Sequence, residues 1–426
     1  MEPLLTEERP SWRGYAARIA VDASPLRDYP DYRRLWIGQA VTFLGSEIAM
    51  VALSIQLWDL TGSKLALGLF SLTSLVPLLT LTLVGGAYAD AIDRRKMVLV
   101  TQTIEAFGLV GLLVNAALPH PSVAALFVFA TVIFASFSAG VGAMRSIPQR
   151  LLPEAVFAQA GALDSIYYGI GGIAGPALGG VLTGAIGFST IYAIGAASFG
   201  ATVLALWRLP AMPSHPDADR PSLRSIADGF RFVKGEKVIL GFFLVDTNAM
   251  VFGMPLAIFP AIADQQFGNV NLAGWLYAAP AAGALVAGLL SGWVGHVRRQ
   301  GLAVVAAATL WGVAIVAFAY AHQLWLALVF LAVAGLADQV SAIFRNAMLL
   351  ALTPDRLLGR VRGIEFMQVA SAPSLGNLEA GVVAQLKSIR FSIASGGILC
   401  IAGTLLSAAA FPALLRYDAK RHAAET

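Results

Sequence analysis

The sequence predicts an all-α polytopic membrane protein, with twelve transmembrane helices in two pseudo-symmetric six-helix bundles. Three observations predict it. Of the 426 residues, 58% are hydrophobic and only 13% charged, about half the charged share of a soluble globular chain. The charges are clustered, leaving uncharged runs at 66–89, 106–144, 165–207, 265–297 and 300–337. The basic residues fall on alternate connections, and the two halves of the chain share one layout.

A helix needs roughly 20 apolar residues to cross the hydrocarbon core. The four longer runs are therefore broken between crossings, at Pro119, Gly187, Gly268 and the His322–Gln323 pair. In order, the predicted spans are 35–58, 66–89, 97–117, 123–144, 161–184 and 187–207, then 239–262, 272–294, 302–321, 323–344, 362–384 and 391–413. The organisation is a tail (1–34), a first bundle (35–207), a linker (208–238), a second bundle (239–413) and a short tail (414–426). Within the linker, Leu223, Ile226, Phe230 and Val233 recur at helical spacing, which predicts an amphipathic helix at the membrane surface. Trp12, Tyr15, Tyr29 and Tyr32 lie near basic residues in the first tail, which suits contact with lipid headgroups.

With both termini placed inside, all but three of the 29 Lys and Arg fall on inner segments. The exceptions are Lys64, Lys387 and Arg390. A missed helix would scramble this alternation, so the basic residues support the span count as well as the orientation. The net charge of +4 is then a topology signal and no sign of nucleic-acid binding. No cleavable signal peptide is expected, because the first apolar run follows a tail with six arginines. The single cysteine, Cys400, falls inside the last span and reads as a packed core thiol.

The halves also match locally. Arg145 closes the fourth span and leads to Pro153-Glu154; Arg345 closes the tenth and leads to Pro354-Asp355. Inverted and parallel repeats of this sort build transporters whose two bundles rock about a central site.

Gly171, Gly175 and Gly179 stand four residues apart on one helix face, beside Pro176 and Gly180. Such a face admits a neighbouring helix closely, and a proline inside the helix removes a backbone hydrogen bond and bends it. Ordinary tight packing is the plain alternative. After the second span, Gly85-Gly86-Ala-Tyr-Ala-Asp90-Ala91-Ile-Asp93-Arg94-Arg95-Lys96 puts an aspartate and a basic cluster behind a glycine. The aspartate can meet a helix N-terminus or an arginine of a neighbour, while the basic residues by themselves serve topology.

Carboxylates inside a membrane cost about 2.5–3.5 kcal/mol each on insertion scales, so each calls for a reason. Glu47 is near the middle of the first span, in a polar sector with Gln39, Thr42, Ser46 and Ser54 that is expected to face a central cavity. Asp246, Asp338, Glu379 and Gln368 are further cavity or proton-coupling candidates, with Glu105, Asp164 and Glu365 behind them. Asp246 and Asp338 could instead pair with Arg345, and any of these acids could serve helix packing alone. Tyr167, Tyr168, Phe252, Trp275 and Tyr277 could line a cavity for an aryl-bearing solute. An enzyme is not expected: His120, His215, His296, His322 and His422 all fall in loops or tails, no metal-ligand spacing occurs, and no Gly-Lys-Ser/Thr loop for ATP is present.

The Gly86–Lys96 segment resembles motif A of the major facilitator superfamily, with Gly86, Asp90, Arg94 and Arg95 at key places. Ala91 and Asp93 depart from it, replacing an arginine and a glycine. Gly292–Arg299 is a weak echo in the second half, with His296 at the aspartate's place. Gly171, Gly175, Pro176, Gly179 and Gly180 resemble motif C, which is specific to antiporters there; the farther upstream glycine is replaced by Ala162. The motif B arginine has no counterpart, since Ser136 and Phe137 stand near its place. Leu60-Thr-Gly-Ser, Gly229-Phe-Arg-Phe, Gly274–Pro280 and Gly359-Arg-Val extend the resemblance to the enterobactin (siderophore) exporter branch over nearly the whole chain. The resemblance implies a monomeric, proton-driven exporter in a bacterial inner membrane with both termini cytoplasmic. It would move a siderophore or another amphipathic small molecule by alternating access, powered by the proton gradient and needing no cofactor or metal. The alternative is macrolide-like multidrug efflux on the same fold; an importer or uniporter is less favoured, motif C standing against it. Glu47 is the favoured coupling acid.

Overall fold

The computed structural model describes residues 22–212 and 223–419, and the side chains of these except 83–91 and 223–226. Among the described residues, twelve helices cross. In the first half they are α1 (Pro30–Thr61), α2 (Lys64–Phe70 continued by Leu72–Ala91), α3 (Arg94–Ala117), α4 (Val123–Ser146), α5 (157–186) and α6 (188–207). A linker helix, Leu223–Gly235, leads to the second half. There α7 runs over Lys237–Phe252, breaks at Gly253 and resumes over Phe259–Phe267. It is followed by α8 (Ala273–Leu289), α9 (Gln300–Ala319), α10 (Leu324–Leu352), α11 (Asp355–Leu386) and α12 (Ile389–Ala410).

Among the described residues, ten stretches are long and apolar enough to cross a membrane. One of them runs through Gly187, whose φ of 75° and ψ of 167° leave the helical region; only glycine takes such a conformation without strain. The chain reverses there. Against α1, the contacts of α5 ascend (Gly171 to Phe43, Gly175 to Glu47, Gly179 to Ile48), while those of α6 descend (Gly195 to Ala49, Gly45 to Ser198, Gly38 to Thr202). α11 is too polar to qualify by composition, and with it the crossings number twelve.

Short connections at the end of the bundle far from the termini are closed by caps, which satisfy the free backbone N–H groups where helices begin. Ser63, Ser122 and Ser388 accept from the backbone N–H of Ala66, Ala125 and Phe391. Asn115 grips the α3–α4 turn from both sides, accepting from Ser122 N (2.9 Å) and donating to Ser122 O (3.2 Å).

The buried apolar residues divide unevenly. The largest cluster joins both halves at the far end, from Leu53 and Leu57 on α1 to Ile262 on α7 and Ala384 on α11. Toward the termini the halves keep separate cores, one around Phe242, Phe344 and Val361, others around Leu35 and Tyr32. Tyr32 corrects one expectation. It is buried between α1 and α5, its hydroxyl within 3.3 Å of Ala160 O and of Asp164 Oδ1, because the first helix begins at Pro30, five residues before the uncharged run. Trp12 and Tyr15 lie outside the described residues. Cys400 is fully buried, as expected.

Candidate functional site

Two seams hold the halves together, and both depend on backbone meeting backbone. At the first, α5 crosses α8: a Cβ added to Gly180 would strike Asn271 O and come within 3.0 Å of Gly274 Cα. At the second, α2 crosses α11: a Cβ on Gly68 would lie 3.0 Å from Gly381 Cα and 3.1 Å from Asn377 O. Polar contacts reinforce the second seam, and another joins α1 to α7 at the far end. Ser71 donates to Ser374 O (2.8 Å), Lys64 N to Gln385 Oε1 (3.2 Å), and Trp58 Nε1 to Asp264 Oδ2 (3.1 Å). Toward the termini Arg145 reaches across the halves, its guanidinium carbon 4.5 Å from the Phe366 ring centre.

Between the seams lies a cavity of about 540 Å³, a size that suits a drug-sized ligand. The first half contributes Glu47 and Ser54 from α1, Phe70, Ser71 and Ser74 from α2, Phe134 from α4, and Gly172 and Pro176 from α5. The second half contributes Phe259, Tyr277, Pro280, Trp311, Leu331 and Asn377. Most polar lining atoms are already bonded to the protein. Ser54 donates to Met50 O, Ser74 to Ser71 O, and Trp311 Nε1 to Gly253 O, while Asn377 Oδ1 accepts from Ala257 N. Among the described residues, Glu47 is the single acidic or basic side chain in the lining. Among the described residues, no side chain or backbone group makes a hydrogen bond or ion pair with its carboxylate.

The glycine face of α5 places that carboxylate. Gly171 admits Phe43, Gly175 admits Glu47 itself, and Gly179 admits Ile48 and Val51. A Cβ on Gly175 would overlap Glu47 Cβ and lie 3.5 Å from Leu44 O. One face of α5 thus seats α1 and the other, through Gly172, Pro176 and Gly180, meets α8 and the cavity.

The other membrane acids sit elsewhere. Arg345 on α10 is buried against Asp246 on α7, with Asp338 3.8 Å away. Gln368 on α11 donates to Asp246 Oδ2 (2.9 Å) and to Phe243 O (3.2 Å). Trp311 separates this cluster from the main cavity, lining both spaces. Gln39 is likewise away from the lining, accepting from Tyr167 OH and donating to Met144 Sδ, each at 3.2 Å. Thr42 turns to α6, bonding Ser198 O at 2.8 Å. Glu379 is half-buried outside both spaces, and Glu105 is buried beside Gln102. Of the five aromatic residues singled out in the sequence, Tyr277 lines the cavity; Trp275 and Tyr168 are half-exposed on the helix surface. Phe70, Phe134, Phe259 and Trp311 escaped the sequence, since a phenylalanine on an apolar helix carries no mark of which neighbour it faces.

The motif A loop lies against its own half. Asp93 caps α3 by accepting from Lys96 N (3.2 Å) and also accepts from Met212 N (3.0 Å). Arg95 donates to the carbonyls of Leu206 and Trp207, each at 2.8 Å, a cation on the C-terminal carbonyls of α6. Arg94 N bonds Met212 O (3.2 Å). Gly86 and Asp90 fall among the residues whose side chains are not described, and His215 and His422 lie outside the described residues.

Twelve helices in two halves about one central cavity define a polytopic membrane transporter of the major facilitator fold. Residues 20–424 match the transmembrane secretion effector family, and the chain belongs to it. It is 29% identical over 387 residues to the enterobactin exporter EntS of Shigella boydii serotype 18, covering 91% of this chain and 93% of that protein. The same figures hold against EntS of Escherichia coli O139:H28. Among solved structures it is similar to a mutant of the nucleoside transporter NupG, with a TM-score of 0.73 at 16% identity, covering 91% of this chain and 100% of that one. A bacterial homolog to the human lysosomal transporter Spinster, inward-facing and unoccupied, gives a TM-score of 0.70 at 16% identity, over 92% and 99% of the two chains. These relatives are transporters and not enzymes, and the chain is a secondary transporter acting on a small molecule.

Proposed function

We propose that the chain exports a siderophore or another amphipathic small molecule in exchange for protons, by alternating access. The observation that carries this is Glu47: an unpartnered carboxylate on the wall of a cavity between two halves that share one apolar core at the far end only. Rocking at the two glycine crossings opens that end and closes the other. A carboxyl on the wall can take a proton on one side and release it on the other as the solute travels the opposite way. The likeness to enterobactin exporters supports export from a bacterial inner membrane; the distribution of basic residues supports cytoplasmic termini, and the proposed working unit is the monomer. The largely apolar, aromatic lining also favours a second reading, multidrug efflux of macrolide-like compounds by the same mechanism.

The test is Glu47→Gln in inverted membrane vesicles. Proton-driven accumulation of solute should be abolished while the protein remains folded and inserted. Full activity in that variant would remove Glu47 from the coupling step.

A further inference from the structure

The side of α5 that borders the cavity continues past it toward the termini. Gly161, Ser165, Tyr168, Gly172 and Pro176 follow one another at three- and four-residue steps, so they share one side of the helix. Gly172 and Pro176 line the cavity, and the three residues before them are exposed. We propose that the exposed side of Tyr168 is a stacking subsite for a planar aryl group of the solute, at the mouth of the cavity on the terminal side. The proposal rests on the reading of the cavity as the solute site. Three observations converge on it.

The first is where Tyr168 points. On one flank of it α5 seats α1, with Gly171 against Phe43 and Gly175 against Glu47. On the other flank α5 meets α8, with Gly169 against Leu285 and Gly172 against Ala281. Tyr168 therefore stands over the gap between the halves. The lipid side of α5 is the opposite one, where Ile170 and Val181 are exposed. The gap is open here. A Cβ on Gly161 would meet nothing within 4 Å, and toward the termini the halves keep separate cores. The 50% exposure of Tyr168 is thus to the route by which a solute from the terminal side reaches the cavity.

The second is that the ring is held in place. Its centre lies 4.3 Å from that of Tyr167, tilted by 35°, and 4.9 Å from that of Phe43, which meets it edge to face at 77°. Tyr167 is fixed in turn: it is buried, donates to Gln39 Oε1 (3.2 Å) and meets Trp36 edge to face. A ring locked from behind and bare in front loses little freedom when an arene stacks on it.

The third is its place along the route. Phe43 stands one turn before Glu47 on α1, and Tyr168 one turn before Gly172 on α5. An aryl group stacked on Tyr168 is therefore roughly 5 Å short of the cavity wall. Selection here is for a flat ring, made before the solute comes within reach of Glu47.

2-Naphthol and trans-2-decalol share a carbon skeleton and a hydroxyl, but one is planar and aromatic and the other saturated. Ser165→Cys in a Cys400→Ser background puts a thiol one turn from Tyr168 on the same side of α5. The rate at which N-ethylmaleimide alkylates it is measured in the purified full chain, with free probe corrected for uptake by micelles. Both probes are neutral, and the decalol is no less apolar, so a preference for the naphthol reports stacking. The free concentration that halves the rate should be about 2- to 12-fold lower for the naphthol, as expected for one aromatic pair. Tyr168→Leu should erase that preference, and Tyr168→Phe, which keeps the ring, should retain most of it. Gel filtration verifies that the variants are folded. A thiol placed instead at Leu60, exposed at the far end, should be labelled at one rate with or without either probe. Equal protection by the two probes overturns the proposal, as does no protection, a preference that survives Tyr168→Leu, or equal slowing at position 60. Glu47→Gln leaves Tyr168 and its neighbours unchanged, so the vesicle experiment is read independently and proton coupling can stand while this subsite falls.

Discussion

Gly180→Ala should unlock the far end of the protein, and Gly172→Ala, two turns away on the same helix, should not. The added methyl at 180 would collide with Asn271 O and approach both Gly274 Cα and Gly274 N to 3.0 Å. These are backbone atoms, which cannot swing aside, so α5 and α8 must separate. At position 172 the nearest atom would be Ala281 Cβ at 3.7 Å, an ordinary contact. Both substitutions raise helix propensity equally, and α5 is helical in either state, so that gain cancels. What remains is overpacking confined to the closed seam, about 1–3 kcal/mol, which lowers the closed-to-open ratio by about 5- to 150-fold. The control should change it by less than about twofold. Spin labels at Leu60 and Gln265, both exposed at the far end on opposite halves, would report the two populations by double electron–electron resonance in a Cys400→Ser background. Matching distance distributions for the two variants would refute the account of the glycine crossing as a gate.

Three further outcomes follow from other contacts. Gly175→Leu should block transport without impairing insertion, because its side chain would displace Glu47; normal efflux would leave the glycine with a packing role only. Arg345→Met strands Asp246 in the core and should cost about 3–5 kcal/mol, read as a fall in thermal unfolding temperature, while Arg345→Met with Asp246→Leu should recover much of that loss. A cysteine placed at Arg231, exposed on the linker helix, should resist a membrane-impermeant maleimide added to intact cells and react once the cells are opened.

Much of the scaffold was legible because a bilayer imposes it locally. Every crossing must be a helix of sufficient apolar length, and each connection must either hold or lack basic residues. The reversal at Gly187 and the glycine face of α5 could be placed from spacing alone, and Glu47 stood out as a charge with no local reason to be in a membrane. The site was less legible. Gln39, Thr42 and Glu47 occupy one polar sector in sequence, yet Thr42 bonds α6 and Gln39 bonds α4 and α5. A helical sector three residues wide spans more than one neighbour, and periodicity does not say which. Arg145 and Arg345 are equivalent in the repeat, yet Arg345 is buried in an ion pair inside its half and Arg145 reaches across to Phe366.

By itself, then, the sequence determined the helices, their number and the residues that are costly in lipid, since each of these depends on composition and short-range spacing. Only the tertiary structure decided which face of each helix meets which partner. That is why it alone showed the Gly180–Gly274 and Gly68–Gly381 crossings, the rings brought together from both halves, and Glu47 left without a partner among them. Contacts between helices hundreds of residues apart are selected by the shape of the whole bundle, and no local pattern records them.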